Sequence, residues 1–325
     1  MNDLPRTDFV DLQYPDAISF AIDAAHAAAA KDEIDEAVRW FDLCRTLLIR
    51  CTPAVPLKHR IDANLKSISD EAERTRNALI EKGSKSADTR VVILGDSLAL
   101  PRAEEKANFP SSIDATYPGL ILSKLQAGPP PRQPSVWTHC QRYFTTNDAV
   151  ALLETNPDVL AGAHVLIHLG LNDCAVRMFM DNQRLAIGLL PAAIGDKVLS
   201  FSRTYRSALV ESFPGFSYVP IDQYRANLYR IASLAQDAGA ASLTFTSVIV
   251  VPWKFWPGTP GVCRNFTTYN LTMMDTAAHV GALVLDVDRL MWQNHVGRTL
   301  VKDGMHLSPI GHELLADEWI KLAFG

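Results

Sequence analysis

From Thr89 onward, short apolar runs alternate with stretches whose apolar positions recur every three or four residues. The short runs are almost continuously apolar, which is typical of strands buried on both faces of a parallel sheet. They predict strands over residues 90–95, 135–140, 164–170, 242–251 and 282–287. The predicted helices cover residues 115–126, 146–155, 196–213, 222–238, 265–280 and 309–324. This alternation predicts an α/β fold, a three-layer α/β/α sandwich around a five-stranded parallel sheet, in which ligands bind at the carboxyl ends of the strands.

The first part of the chain, up to about Lys85, shows only the helical period. Pro53 and Pro56 separate two periodic runs, so two or three helices are predicted. One helical pair resembles a tetratricopeptide-like unit, but no second copy follows at a fixed period. The favoured interpretation is a helical segment that packs on the main domain or contacts another protein or a second copy of the chain. The predicted domains are therefore a helical segment over residues 1–85 and an α/β domain over residues 86–325.

Composition restricts the class of protein further. The 325 residues include 31 Lys and Arg against 36 Asp and Glu, a formal net charge of −5, and 48% are apolar. These values argue against disorder and against nucleic acid as a partner. No uncharged apolar run reaches about 18 residues and no signal peptide is recognisable, so no membrane span and a cytoplasmic location are expected. The five cysteines are scattered and the histidines lack metal-ligand spacing, so neither disulfides nor a metal site is expected.

Three short polar motifs stand where the predicted strands end or before the last predicted helix. They are Gly95-Asp96-Ser97-Leu98, Gly170-Leu171-Asn172-Asp173 and Asp303-Gly304-Met305-His306. Because the carboxyl ends of parallel strands meet at one edge of a sheet, Ser97 and Asn172 are expected to lie near each other. A carboxylate three residues before an imidazole is placed to orient it.

These residue types together predict acyl transfer through a serine nucleophile. A serine hydroxyl needs a base within hydrogen-bond reach, and that base needs a third group to hold its tautomer. Ser97, His306 and Asp303 can supply these three roles. The oxyanion of a tetrahedral intermediate needs preorganised N–H donors, which the Asn172 side chain and the Ser97 backbone can provide.

Other polar residues near these motifs are given structural roles. Asp96 is expected to accept hydrogen bonds from turn amides, and Asp173 is expected to act in the same way. His312 is expected to lie within the last helix as a packed or a surface histidine rather than as a second base. Asp286 and Asp288 follow a strand and are alternatives as the orienting acid, but only Asp303 shares a short loop with the histidine of the third motif.

The motifs GDSL (95–98), GLND (170–173) and DGMH (303–306) resemble three of the four motif blocks of the GDSL-type esterases and lipases, also called SGNH hydrolases. The resemblance covers roughly Arg90 to Gly325 and implies the flavodoxin-like SGNH hydrolase fold, with residues 86–325 as the catalytic domain. It also implies roles for the motif residues. Ser97 is then the nucleophile and Asn172 an oxyanion donor, while Asp303 and His306 complete the triad.

The loop after the second predicted strand departs from the family pattern. Family members place a glycine there, and its backbone N–H is another oxyanion donor. Here the loop, residues 140–146, reads CQRYFTT and has no glycine. The backbone N–H of Tyr143 or Phe144 is the candidate replacement, although a side chain restricts the backbone conformations available. Tyr143, Phe144 and Gly170 are predicted to be substrate-binding residues.

Flanking residues extend the resemblance to a subgroup of the family. DSLALPR (96–102), TYPGLIL (116–122), HLGLNDCAVR (168–177) and DGMHLSPIGH (303–312) are similar to GDSL-type proteins associated with bacterial surface-polysaccharide biosynthesis, which act on acyl groups of sugars. Arg102 and Arg177 follow catalytic blocks and are candidates to bind an anionic sugar or carboxylate. The alternative of equal weight is that each pairs with a local acid, namely Glu104, Glu105 or Asp181.

Aromatic residues Trp253 and Trp256 follow the fourth predicted strand and are predicted to border the pocket. A loop clamped to the domain by buried aromatics is the competing interpretation.

The leading functional hypothesis is a serine hydrolase of carboxylic esters, acting on a short acyl ester, most simply acetyl, of a small molecule or glycan. It needs no metal or organic cofactor. One alternative is an acyltransferase that passes the acyl group to or from a polysaccharide precursor. The sequence does not separate the two activities, because they differ in what occupies the acceptor site and in how well water is excluded. The other is a non-catalytic binding module in which the N-terminal helices are the working part.

Overall fold

The computed structural model describes residues 15–50, 88–101, 112–128, 133–213, 217–251 and 255–325. The described strands are Thr89–Gly95 (β1), Pro134–Cys140 (β2), Ala163–His168 (β3), Ser242–Thr246 (β4) and Leu283–Leu285 (β5). The described helices are Pro15–Ala30 (α1), Ile34–Arg50 (α2), Tyr117–Ala127 (α3), Thr146–Thr155 (α4), Leu171–Cys174 (α5), Asp181–Leu189 (α6), Ala192–Thr204 (α7), Arg206–Ser212 (α8), Ile221–Asp237 (α9), Val262–Val280 (α10), Val287–Gln293 (α11), Val296–Thr299 (α12) and Pro309–Phe324 (α13). Any helix predicted over residues 51–85 lies outside the described residues.

The five strands form one parallel sheet in the order β2-β1-β3-β4-β5. The predicted α/β fold with a five-stranded parallel sheet is confirmed. The strand order reverses direction between β1 and β3, and ligands of doubly wound sheets bind at the carboxyl ends of the strands beside this point. Gly95, the last residue of β1, is paired with His168 of β3 and with Cys140 of β2.

Successive side chains of the central strands enter cores on opposite faces of the sheet. Val92 and Leu94 of β1 pack on one face, where α4, α9 and α10 cover them. Val91 and Ile93 pack on the other face, where α3 and α13 cover them. Because both faces are buried, every residue of these strands gains from being apolar, which explains the continuous apolar runs in the sequence.

The fourth strand is shorter than its apolar sequence predicts. β4 ends at Thr246, and although the Ser247 N–H still donates to the Leu285 carbonyl of β5 at 3.2 Å, residues 248–251 leave the sheet. Side chains take over backbone hydrogen bonds of residues 248 and 250. The Asn270 Oδ1 accepts from the Val248 N–H at 2.7 Å, and its Nδ2 donates to the Val248 carbonyl at 2.7 Å. The Asp288 carboxylate accepts from the Val250 N–H at 2.7 Å. Apolar character alone does not reveal such replacements, so the prediction over 242–251 is too long.

Close contacts divide the chain into two compact units. One comprises Met1–Asn64, Val176–Phe216 and Pro257–Pro260, and the other comprises Leu65–Ala175, Ser217–Trp256 and Gly261–Gly325. Residues 176–216, which the sequence assigns to the α/β domain, therefore group with the N-terminal helices. The predicted domain limit near residue 85 falls outside the described residues and stays a prediction.

The reason for this grouping is an apolar core that α1 and α2 share with α6, α7 and α8. At its centre the rings of Phe41 and Phe201 are stacked, with centroids 5.2 Å apart, and Phe179 lies 5.7 Å from Phe41. The single helix predicted over 196–213 begins earlier, at Ala192, and is interrupted at Tyr205.

Candidate active site

Ser97 stands in a tight turn directly after β1. The Oδ1 of Asp96 accepts a hydrogen bond from the Leu98 N–H at 2.8 Å and so caps the 3₁₀ turn Ser97–Ala99, as the sequence predicts for this aspartate. The Ser97 side chain is partly exposed. Its backbone N–H donates to no other described residue. A backbone donor of this kind is available to an anion next to the hydroxyl.

Asp303 and His306 lie on a short hairpin that precedes α13. Leu300 and Leu307 form its antiparallel bridge, and the Val301 N–H donates to the His306 carbonyl at 2.9 Å. Gly304 turns the chain with φ of +69°, and a Cβ added there would come within 2.4 Å of the Phe255 ring. Only glycine satisfies both the positive φ and this close approach.

The histidine links the other two residues of the proposed triad. His306 Nε2 lies 3.2 Å from Ser97 Oγ, and His306 Nδ1 lies 2.7 Å from Asp303 Oδ2. Asp303 Oδ1 also accepts the backbone N–H groups of Met305 at 2.8 Å and His306 at 3.0 Å. A hydrogen bond from Nδ1 to the carboxylate leaves Nε2 as the acceptor that faces the serine.

These hydrogen bonds determine the charge of the acid. Partial burial alone raises the pKa of Asp303, but the hydrogen bonds from the His306 side chain and backbone, with the Met305 N–H, outweigh it and lower the pKa to about 2. The carboxylate is therefore ionised at neutral pH. It can hold the imidazole in place and stabilise the imidazolium that forms when the ring takes up a proton.

Asn172 connects the ends of β1 and β3. It lies on the short helix α5, and it is 6% exposed. Its Nδ2 donates to Asp96 Oδ2 at 3.1 Å and to the Phe144 carbonyl at 3.4 Å. The second of these hydrogen bonds is near the upper distance limit and therefore weak. Of the two Nδ2 hydrogens of Asn172, the one that donates to the Phe144 carbonyl is therefore the more available to an oxyanion.

Gly170 is the N-cap residue of α5. It has φ of +126°, and a Cβ there would lie 3.0 Å from a Val248 methyl and 3.2 Å from the Tyr224 hydroxyl. The structure therefore shows a backbone requirement for this glycine. Its contribution to substrate binding stays a prediction.

Asp173 is fully buried beside Asn172, and its Oδ1 accepts from the Thr146 N–H at 2.9 Å and the Thr146 hydroxyl at 2.5 Å. Burial raises the pKa of Asp173 to about 6, although the Thr146 hydrogen bonds oppose the shift. The Asn227 Nδ2 donates to the same Thr146 hydroxyl at 2.9 Å. This network joins α5, α4 and α9 and has the structural role that the sequence assigns to Asp173.

The loop after β2 places Tyr143 in the left-handed region, with φ of +64°, and leaves its side chain 49% exposed. This is the backbone region that glycine favours, so Tyr143 holds a conformation that side chains rarely adopt. The Phe144 N–H donates to the Gln141 carbonyl at 3.2 Å, and the Phe144 side chain is buried. The Phe144 N–H is thus used within the turn, and an oxyanion role for the backbone of either residue stays a prediction.

Two further histidines are buried around Tyr117, behind the end of β1. His312 Nδ1 accepts from the Tyr117 N–H at 3.1 Å, and His168 Nδ1 lies 3.1 Å from the Tyr117 hydroxyl. Burial lowers the pKa of His312 to about 3 and that of His168 to about 4. Both rings are therefore neutral at pH 7. Of the packed and surface positions that the sequence leaves open for His312, the structure shows the packed one.

Arg102 and Trp253 lie outside the described residues. Arg177 belongs to the unit that contains the N-terminal helices, where its charge contributes, after burial, to lowering the pKa of Arg206. Substrate binding by Arg102 and Arg177 stays a prediction. Asp286 and Asp288 bond to Ser247 and to the Val250 N–H rather than to His306.

Trp256, which the sequence predicts to border a pocket, lines a small apolar cavity, and the sequence does not indicate most of the other residues around it. The cavity is lined by Leu98, Leu171, Val248, Ile249, Val251, Trp256, Phe266, Gly304 and Met305. Leu98, Leu171 and Met305 are the immediate chain neighbours of Ser97, Asn172 and His306. These three lining residues could therefore have been predicted from the sequence, because each is next to a residue of the three motifs. Val248 and Phe266 carry no such signal, because folding alone brings them there.

A second groove runs along the hairpin that carries Asp303 and His306. Its lining includes Arg298 and Lys302, which the sequence analysis did not single out. Among the described residues, no group of three or more His, Cys, Asp or Glu is placed to hold a metal ion. None of the described helices has the length and apolar character needed to cross a membrane.

Comparison with solved structures finds esterases of the same fold. The chain superposes on the acetylxylan esterase Axe2 of Geobacillus stearothermophilus with a TM-score of 0.51 and 17% identity, covering 75% of this chain and 96% of that one. An arginine-to-alanine mutant of the same enzyme, described as an acetyl-xylooligosaccharide esterase, gives a TM-score of 0.51 and 17% identity over 74% and 95% of the two chains. No family model and no curated protein sequence matches the chain. The structural likeness establishes a shared α/β fold.

Proposed function

We propose that the protein is a serine hydrolase of carboxylic esters that works through an acyl-enzyme. The observation that carries the proposal is the position of His306, within hydrogen-bond reach of Ser97 Oγ on one side and of the Asp303 carboxylate on the other. The Asp303 carboxylate already orients the His306 ring. A histidine with a purely structural role would not also need contact with a partly exposed serine hydroxyl. This arrangement meets the chemical requirements of an activated nucleophile.

In the first half of the reaction, the Ser97 oxygen attacks the ester carbonyl carbon while His306 Nε2 takes the hydroxyl proton. The carbonyl π electrons move to oxygen, and the resulting oxyanion is stabilised by the Ser97 backbone N–H and the Asn172 Nδ2. The tetrahedral intermediate then collapses. The bond to the alcohol oxygen breaks, and His306 gives its proton to that oxygen, leaving the acyl group on Ser97.

In the second half, water replaces the alcohol. His306 removes a proton from the water as its oxygen attacks the acyl carbon, and a second tetrahedral intermediate forms at the same oxyanion donors. When this intermediate collapses, the proton returns through His306 to Ser97, and the carboxylic acid leaves. Asp303 stays ionised throughout, because its low pKa keeps the proton on the imidazole.

For the substrate we propose a short acyl ester of a carbohydrate, most simply an acetyl ester. Two lines support this choice. The sequences around the motifs resemble GDSL-type proteins that act on acyl groups of sugars. The fold is also shared with an acetylxylan esterase and with a structure described as an acetyl-xylooligosaccharide esterase.

The test compares the wild type with Ser97→Ala and with the matched control Ser123→Ala, whose hydroxyl is exposed on α3. The substrates are p-nitrophenyl acetate and acetylated xylo-oligosaccharides, and acetate release is measured. We expect Ser97→Ala to lower kcat at least about 10³-fold, while Ser123→Ala has wild-type activity. If Ser97→Ala retains wild-type acetate release, the proposed nucleophile is wrong.

A further inference from the structure

The groove along the hairpin of Asp303 and His306 is not part of the reaction centre described above, because neither of these two residues lines it and Ser97 does not line it either. It lies between α12 and the start of α13 and reaches Phe255. Its volume is about 480 Å³, and pockets of roughly 300–1,000 Å³ are typical for small organic ligands. The groove therefore has the size of a binding site of its own.

Two cations border the groove, and no described acid balances them. Arg298 and Lys302 are exposed, and neither side chain forms an ion pair or a hydrogen bond with a described residue. Asp303 is the only acid within four residues of either along the chain, and its carboxylate is bonded to His306 and to the Met305 N–H. None of the described lining residues is acidic. This positive charge favours an anion as the ligand.

Helix α13 begins at the groove and adds to the positive potential. Pro309 and Ile310 are its first two residues, and both line the groove. The N-terminal end of a helix has a partial positive charge, which favours an anion nearby. The Gly311 N–H donates to the Ser308 side chain at 3.2 Å, whereas the Ile310 N–H has no acceptor among the described residues. One backbone donor is thus available to a ligand.

Most of the lining is apolar. Leu300 and Val301 are buried, Val296 and Phe255 are half-buried, and Ile310 is 43% exposed. Such side chains gain free energy when an apolar group covers them. A small inorganic ion would leave them in contact with water, whereas an anion attached to an apolar chain would cover them.

The groove has few partners for the hydroxyl groups of a sugar. Ser308 is the one described lining residue with a side-chain hydroxyl, and that hydroxyl already donates to the Arg298 carbonyl at 2.6 Å. A sugar bound here would lose hydrogen bonds to water and replace few of them. An alkyl chain loses none. The lining therefore favours an alkyl chain that carries an anionic group.

The number of cations favours phosphate over carboxylate as this group. A phosphate monoester carries roughly 1.5–2 negative charges at pH 7, whereas a carboxylate carries one. Its three free oxygens also match three kinds of donor, namely the Arg298 guanidinium, the Lys302 ammonium and the Ile310 N–H. A carboxylate has only two oxygens to share among them.

We propose that this groove binds an alkyl phosphate monoester, with the phosphate at Arg298 and Lys302 and the chain against Leu300, Val301 and Phe255. The site is distinct from the proposed reaction centre. It binds its ligand whether or not the protein hydrolyses esters.

Isothermal titration calorimetry on the full chain compares octyl phosphate with three partial ligands at equal ionic strength. Octanol keeps the chain without the charge, inorganic phosphate keeps the charge without the chain, and octanoate keeps the chain with a single charge. We expect octyl phosphate to bind at least about tenfold more tightly than octanol or inorganic phosphate, and at least about threefold more tightly than octanoate.

The test variant combines Arg298→Gln with Lys302→Gln, which removes both charges at exposed positions and leaves the apolar lining in place. Its matched control combines Arg264→Gln with Lys31→Gln, which removes two exposed cations outside the groove. We expect the test variant to bind octyl phosphate at least about tenfold more weakly than the wild type, and the control to bind it within about twofold of the wild type.

A second pair of variants separates charge from shape. Ile310→Glu places a carboxylate at the groove, and Ile310→Gln places a neutral side chain of similar size at the same exposed position. Because the carboxylate repels the phosphate, we expect Ile310→Glu to bind octyl phosphate at least about fivefold more weakly than Ile310→Gln.

Several results would overturn the proposal. Equal affinity for octyl phosphate and octanol, or equal affinity of the test and control variants, removes the site. Octanoate or inorganic phosphate that binds as tightly as octyl phosphate removes the proposed ligand. Octyl phosphate that competes with an ester substrate, with one inhibition constant for the wild type and the test variant, binds at the reaction centre instead. The effect of Ser97→Ala on ester hydrolysis is independent of all these results, so the two proposals are judged separately.

Discussion

Asp303 and His306 are joined twice. The Asp303 carboxylate contacts the imidazole Nδ1 at 2.7 Å and accepts the backbone N–H of the same histidine at 3.0 Å. The backbone bond fixes where the acid lies relative to the chain, and the side-chain bond fixes the plane and tautomer of the ring. A three-residue separation in sequence is enough to hold an acid and a base in one reactive geometry.

Acid stability provides the first prediction. The folded pKa of Asp303 is about 2, below its ordinary value of 3.8, so the ionised form stabilises the folded state. This contribution is complete above about pH 4 and is lost as the pH falls toward 2. Asp303→Asn is therefore expected to be less stable than the wild type at pH 7, with a difference that shrinks between pH 4 and pH 2. Urea unfolding across this range measures it.

The control for this prediction is Asp222→Asn, which removes the same charge from a side chain that is 90% exposed. Its stability should follow the wild type at every pH within a few tenths of a kcal/mol. Stability curves for Asp303→Asn and wild type that run parallel from pH 7 to pH 2 would contradict the assignment.

Asn172→Ala tests the oxyanion site. If the amide stabilises charge that develops only in the transition state, kcat should fall about 10²–10³-fold while KM changes little. Steady-state kinetics on p-nitrophenyl acetate give both values. Asn156→Ala, which removes an exposed amide at the end of α4, is the control and should have wild-type kcat. A raised KM with unchanged kcat would show that Asn172 only binds substrate.

Gly304→Ala tests the hairpin that carries the acid and the base. The added methyl would meet the Phe255 ring at 2.4 Å, at a φ of +69° that alanine rarely adopts. We expect about 1–3 kcal/mol of lost stability and a marked loss of kcat, because the hairpin must shift. Gly297→Ala is the control, since nothing lies within 4 Å of a Cβ there. Equal thermal midpoints and equal activities for the two variants would contradict the role of this turn.

The buried Asp173 makes stability depend on pH in the opposite direction to Asp303. Its folded pKa of about 6 lies above the ordinary 3.8, so the unfolded chain loses this proton first as pH rises. Asp173 therefore lowers the stability of the wild type between about pH 4 and pH 6, whereas Asp173→Asn lacks this dependence. The stability of the variant relative to the wild type should rise by about 1–3 kcal/mol across that window. Denaturant unfolding at both pH values measures it, and a constant difference would refute it.

Much of the fold is visible in the sequence because both faces of the sheet are buried. Short continuous apolar runs rich in β-branched residues, such as residues 91–94, are typical of strands buried on both faces, and they predict the position of each strand. The fourth run fails beyond Thr246 because Asn270 and Asp288, distant in the chain, bond its backbone. Such partners exist only once the chain is folded.

The candidate site shows the same division. Ser97, Asn172, Asp303 and His306 can be singled out because each stands where a predicted strand ends or a helix begins. The conformation of Tyr143 cannot be read in this way, because a positive φ at a tyrosine runs against local preference. The grouping of residues 176–216 with the N-terminal helices cannot be predicted from the sequence either. An amphipathic pattern shows that a helix buries one face, but it does not show which partner covers that face.

The central claim, that His306 activates Ser97 for attack on an acyl carbon, is tested most directly by covalent labelling with a fluorophosphonate and peptide mapping by mass spectrometry. The predicted result is a single adduct on Ser97 in the wild type, strongly slowed in His306→Ala and absent in Ser97→Ala. No adduct on Ser97, or labelling at the same rate without the histidine, would contradict it.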